Sequence, residues 1–373
     1  MTIGRAAGGT VWNIQILRFV AAAMVLFGHL QHEVTQRPAM ADGFQAVDLV
    51  WWAGGVDIFF VISGFIMYHI AGHEFGAPGA ARKFVVRRLI RLVPPYWAFT
   101  LVALAVMALL PAQMAMNSSS LGHILASFAF LPWPNPAGDY FPVLVLGWTL
   151  NYEMLFYAIF ALGLLFARRI GLPLIAALLL VLAAGQMFDW WRDDWPLGAW
   201  RNTMMIEFLF GIGIAMLHER GVRLGVAGAW IVIAAGLGSL IAMPLFGWAG
   251  GDWTWRFLWA GGPALLLVAG GALIRDEGRP GPVRRLFVFG GDTSYALYLS
   301  HPFVLSAAAM AAAAIGMDDA WTYIIIAGAA CLLAAAAWFV IVERPTYRWL
   351  TRAYERRWPS RSSARTVGVT ARS

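Results

Sequence analysis

Ten stretches of the chain are almost wholly apolar, and polar residues gather in the gaps between them. They run over roughly 12–31, 54–72, 92–112, 144–166, 171–188, 202–218, 224–243, 256–274, 287–314 and 321–342. Each is long enough, or nearly so, to cross about 30 Å of hydrocarbon as a helix. The ninth is long, and Pro302 inside it predicts a kink. No self-similarity recurs at the period of about 20–50 residues that marks repeat folds. Nor do two halves carry matching interrupted helices, the pattern that would favour a secondary transporter.

Composition agrees with this pattern. Of 373 residues, 60% are hydrophobic and 13% charged, which excludes an ordinary soluble domain and points to a polytopic membrane protein. Charge then orients it. With the N-terminus in the cytoplasm, 22 of the 27 Lys and Arg fall in cytoplasmic segments, from Arg5 through the basic run at 82–91 to eight arginines between 344 and 372. Arg37, Arg192, Arg201 and Arg256 fall outside, and Arg18 lies within the membrane. The positive-inside rule therefore predicts an even number of spans with both termini inside. Topology accounts for the net charge of +7, so no nucleic-acid partner is expected. The lone Cys331 excludes an intrachain disulfide framework and a cysteine-based metal site. Arg18 interrupts the first apolar stretch and no small-x-small site follows, so no cleaved signal peptide is expected. The predicted fold is an all-α polytopic integral membrane protein of about ten transmembrane helices with both termini cytoplasmic. It occupies residues 1–345, and a basic cytoplasmic tail over 346–373 is expected to be disordered from about 359.

Two outer loops differ from the rest. Residues 113–143 hold Pro132, Trp133, Pro134, Asn135 and Pro136 with one charge, Asp139. Residues 189–201 hold Asp189, Trp190, Trp191, Asp193, Asp194 and Trp195. Aromatics mixed with carboxylates at an interface suit headgroup anchoring and also suit sugar stacking.

Inside the membrane, ionisable residues default to a functional reading. Arg18 and His29 are eleven positions apart in the first span. At about 100° and 1.5 Å per residue they share one helix face, roughly 16 Å apart along the axis. Arg18 is close enough to the inner surface to snorkel instead; His29, deeper and nearer the outer side, is harder to explain so.

Four further groups stand out. Asp57, one turn into the second span, either caps a glycine-rich packing seam or orients His29 as a carboxylate fixes an imidazole tautomer. The run 82–91 reads as a basic amphipathic helix at the inner surface, either an anchor to anionic membrane lipid or a phosphate clamp built from Arg88 and Arg91 at i, i+3 spacing. Glu153, with Asn151, opens the fourth span as a site element or a helix-pair hydrogen bond. Ser300 and His301 precede Pro302, where either could satisfy the carbonyl that the proline frees, a structural role. Glu207 and Glu343, in or at the ends of the sixth and tenth spans, are expected to pair with arginines. His32, His69, His73, His123 and His218 lie at ends or in loops and are assigned no role. No HExxH, Walker motif, G-x-S-x-G or CxxC is present, so a metal centre and an ATP-driven pump are not expected.

These motifs together resemble the membrane acyltransferase 3 family, in its exopolysaccharide O-acetyltransferase type. Arg18 and His29 match its Arg, ten residues, then His. Residues 55–65, Gly-Val-Asp-Ile-Phe-Phe-Val-Ile-Ser-Gly-Phe, match its second-helix block. Arg88 and Arg91 match its Arg-x-x-Arg. Residues 148–153 resemble its Trp-Ser-Leu-x-x-Glu block, with Thr149 for Ser, and Ser294 to His301 its Ser-Tyr-x-Leu-Tyr-x-x-His block. Met154 stands where a second Glu is common, which weighs against a two-carboxylate mechanism. The likeness covers about residues 12–345, and the hydrolase-like domain fused to some members is not expected here.

The resemblance implies a multi-pass protein of the bacterial inner membrane. It would move an acyl group, acetyl before succinyl, from cytoplasmic acyl-CoA to a hydroxyl of an exported glycan or a lipid-linked oligosaccharide. No permanently bound cofactor is implied, acetyl-CoA being a donor substrate. Arg18, Arg88 and Arg91 would hold the donor; His29, Asp57 and Glu153 would be catalytic, His29 as general base or transient acyl carrier. A glycan or lipid flippase is the competing reading, and self-association stays open.

Overall fold

The computed structural model describes residues 12–109, 120–135, 137–192, 195–247, 252–275 and 281–358. These residues are mostly helical and form no strand; one parallel bridge joins Leu224 to Ile274. The long helices are α1 (Trp12–Thr35), α2 (Gly54–Ala71), α3 (Ala80–Leu109), α4 (Trp148–Leu164), α5 (Arg168–Met187), α6 (Met205–Glu219), α7 (Val226–Leu245), α8 (Gly261–Leu273), α9 (Pro282–Ala314), α10 (Ala320–Trp338) and α11 (Arg344–Arg357).

Nine segments among the described residues are long and apolar enough to cross a bilayer, and the protein is a multi-pass membrane protein. The stretch expected at 202–218 yields α6, only 15 residues long and shorter than the roughly 20 that a span needs. It is nonetheless interior, because Met205, Phe208, Gly211 and Ile212 are buried.

Three local expectations change. The surface helix at 82–91 and the third span are one continuous 30-residue helix, α3, running through Pro94 and Pro95. A neighbour supports the backbone there: Tyr295 Oη donates to the Leu92 carbonyl at 2.9 Å. The loop at 113–143 contains a helix, Leu121–Phe128, whose Ser120 cap accepts from the His123 amide at 3.2 Å. Residues 113–119, Pro136, Asp193 and Asp194 lie outside the described residues, as do Arg5 and the tail from 359. The first part of that tail is α11, reached through a five-residue π segment, Phe339–Glu343. It folds back on α3: Arg87 reaches Glu355 at 3.5 Å, and the Arg82 guanidinium lies 3.9 Å from the Trp358 ring centroid.

Two apolar clusters organise the bundle. One gathers Phe60, Phe65, Phe156 and Phe208 from α2, α4 and α6; the other gathers Leu26, Leu305, Tyr323 and Cys331 from α1, α9 and α10. Helix α1 contributes to both, so its polar positions fall on the seam between them. Glycines allow the closest approaches. A Cβ on Gly211 would sit 2.0 Å from the Val61 carbonyl oxygen, and one on Gly64 2.1 Å from that of Phe208. Small residues let helices pack backbone to backbone where lipid supplies no hydrophobic drive.

Candidate active site

The imidazole of His29, near the end of α1, meets that of His301 on α9. His29 Nδ1 lies 2.9 Å from His301 Nε2, with ring centroids 5.0 Å apart. His301 Nδ1 lies 3.0 Å from the Leu297 carbonyl oxygen, one turn back along α9. A carbonyl can only accept, so Nδ1 of His301 carries the proton and Nε2 of the neutral ring is an acceptor. His29 Nδ1 must then donate to it, which leaves the lone pair of His29 Nε2 unused. The pair fixes a tautomer for His29 by the logic by which a third group orients a catalytic base.

Four of the residues singled out in the sequence line one cavity of about 110 Å³: Arg18, Arg88, Arg91 and Glu153. At about 10–15 Å³ per water-sized sphere this suits a narrow chain of several atoms. Arg18 does not snorkel; it is 8% exposed and donates to Gln15 Oε1 at 3.1 Å. The two arginines of α3 are not equivalent. Arg91 donates to Glu343, which the π segment presents and which is 2% exposed. Arg88 Nε is buried and has no hydrogen-bond partner among the described residues. Glu153 accepts from Ser63 Oγ at 3.1 Å and from Tyr157. Phe59 and Tyr298 also line the cavity. Tyr298 joins the two groups of residues: its hydroxyl is 2.9 Å from Thr149 Oγ1, and its ring centroid is 6.3 Å from that of His301.

Asp57 does not orient His29. It is fully buried, and its two carboxylate oxygens accept from Arg256 at 2.9 and 2.8 Å. Arg256, counted above with the outer-loop arginines, is 2% exposed and lies 4.6 Å from the Trp253 ring centroid. A bidentate guanidinium is the stronger partner for a desolvated carboxylate, so it claims Asp57. Glu343 pairs with an arginine as expected, but Glu207 does not. Both its carboxylate oxygens are buried and take no hydrogen bond from an arginine among the described residues, since the Arg256 guanidinium serves the neighbouring Asp57.

Sequence reasoning thus gave His301 a capping role and missed its contact with His29, although its motif block was visible. Nothing in the sequence pairs position 57 with position 256. Among the described residues no cluster of three metal-ligating side chains occurs.

A family model described as "Acyltransferase domain" matches residues 11–343. The exopolysaccharide production protein ExoZ of Rhizobium meliloti (strain 1021) is 37% identical over 304 residues, covering 79% of this chain and 90% of that protein. No solved structure matches.

Proposed function

The chain belongs to the acyltransferase family whose model spans residues 11–343, and from that premise we propose that it O-acetylates an exported exopolysaccharide at the bacterial inner membrane, with acetyl-CoA as donor. The name of its ExoZ relative supports the exopolysaccharide. The observation that carries the mechanism is the His29–His301–Leu297 hydrogen-bond chain.

In this reading α6 completes ten spans, both termini face the cytoplasm, and the α3 end carrying Arg88 faces acetyl-CoA. Arg88, whose Nε is buried and unpartnered among the described residues, takes a CoA phosphate. Arg18 and Glu153 line the path of the pantetheine arm. Arg91 is engaged by Glu343 and shapes the wall. The acceptor hydroxyl oxygen attacks the thioester carbonyl carbon while His29 Nε2 takes its proton. The C–S bond then breaks, the acetyl ester forms, and the CoA sulfur leaves and regains a proton. His301 keeps His29 in the reactive tautomer throughout.

The test is reconstitution in liposomes with radiolabelled acetyl-CoA, comparing the wild type with His29→Ala. Label transfer to glycan that disappears in the folded variant is the expected result. A wild type that binds no CoA would sink the reading.

A further inference from the structure

A second hollow, of about 600 Å³, opens at the bundle end opposite the basic end of α3, between the start of α4, the end of α5 and the segment around Trp253. Its lining shares one helix turn with the smaller cavity. Trp148, Asn151 and Tyr152 face the larger cleft, while Thr149, Leu150 and Glu153 face the cavity beside Arg88. A single turn of α4 is the partition.

The chemistry of the cleft is mixed in a particular way. Asn151 is 3% exposed, and its Oδ1 accepts no hydrogen bond among the described residues. Trp200 also lines the cleft, and its Nε1 donates to no partner there. Buried polar atoms are otherwise nearly always paired. One orphan is an acceptor and the other a donor, and a ligand rich in hydroxyls supplies both functions.

Charge points the same way. Arg201 and Arg192 line the cleft, but Asp189 bridges them at 2.6 and 3.0 Å and Asp139 lines the cleft beside them, so two carboxylates offset two guanidiniums. Desolvation opposes ionisation of Asp189, yet hydrogen bonds from Arg201 and Arg192 hold its carboxyl below the usual carboxylate range. Indole faces complete the set. Trp148 and Trp253 line the cleft, and Trp253 is backed by the Arg256 guanidinium at 4.6 Å. Rigid aromatic faces with hydrogen-bond donors and acceptors beside them match the apolar faces and hydroxyl edges of a pyranose ring.

We infer that this cleft binds a neutral sugar unit of the acceptor, stacked on Trp148 or Trp253 and hydrogen-bonded to Asn151 Oδ1 and Trp200 Nε1. Calling the sugar an acceptor rests on the acyltransferase reading; the sugar site itself does not. The headgroup-anchor explanation of the tryptophans gives no reason for two unpaired polar atoms on residues that line one hollow.

Equilibrium binding tests it on the full-length protein in nanodiscs, with two labelled probes: oligosaccharides cut from the host's deacylated exopolysaccharide, and acetyl-CoA. Asn151→Leu removes the acceptor, and Trp200→Phe removes the donor but keeps a ring. Each is expected to weaken saccharide binding about tenfold, the loss of one buried hydrogen bond, with acetyl-CoA affinity and melting temperature unchanged. Variants that hold saccharide as tightly as the wild type overturn the assignment. So does a wild type that binds acetyl-CoA but no saccharide, and the acyltransferase reading then still stands. Saccharide binding that weakens as predicted in a protein unable to bind acetyl-CoA keeps the cleft and removes the donor reading.

Discussion

His29 Nδ1 lies 2.9 Å from His301 Nε2, across the contact between the first helix and the ninth. That contact makes His301 a positioning residue. His301→Ala is expected to lower acetyl transfer about 10- to 100-fold with acetyl-CoA KM unchanged, and His29→Ala to lower it by about 10² or more. Because neutral His301 accepts from His29, its removal should also shift the acid limb of the pH–rate profile. An unshifted profile, with a uniform loss of folded protein, would reduce His301 to packing. His301→Gln, whose amide oxygen accepts from His29 Nδ1, should recover part of the rate.

Arg88 and Arg91, three residues apart, should separate cleanly. Arg88→Ala removes a guanidinium whose Nε has no partner among the described residues, and is expected to raise the acetyl-CoA Kd about 10- to 100-fold, the worth of a charged hydrogen bond. Its melting temperature should hold. Arg91→Ala strands the Glu343 carboxylate at 2% exposure and should melt earlier. Glu343→Gln added to Arg91→Ala should restore part of that loss. Equal effects of the two single variants on both readouts would contradict this division.

The Asp57–Arg256 pair is predicted to be structural. Breaking it from one side, with Asp57→Leu or Arg256→Leu, should cost about 3–5 kcal/mol, while the double variant recovers much of that. Thermal melts in detergent, with turnover per folded molecule beside them, check it. A double variant that is stable yet fails to turn over would return Asp57 to the chemistry.

Two glycines on α6 offer a contrast. A Cβ at Gly211 meets backbone at 2.0 Å, whereas one at Gly213 meets nothing within 4 Å. Gly211→Ala should abolish monodisperse protein on size exclusion. Gly213→Ala should be harmless or stabilise by about 1 kcal/mol through helix propensity.

The helical bundle was readable because apolar runs are a local property of the chain. Arg18, Arg88, Arg91 and Glu153 were likewise legible, since ionisable residues in apolar runs stand out one at a time, and they do converge on one cavity. What the sequence withheld was partnership. Asp57 and Arg256 are 199 positions apart, and His29 and His301 are 272 apart. Spacing along a helix ranks residues on one face but says nothing about which distant helix supplies the other half of a pair. The continuity of α3 was missed for a related reason: the neighbour that supports its backbone beside Pro94 and Pro95, Tyr295, sits about two hundred residues away.

The turn of α4 between Trp148 and Glu153 has a thermodynamic consequence. Residues that line the two hollows alternate along it, so one stretch of backbone serves both. If occupancy of one hollow changes affinity in the other, linkage requires the reverse effect to be equal in size. Ligands on the two sides of this wall would then be each other's effectors, with a coupling free energy set by the stiffness of five peptide units.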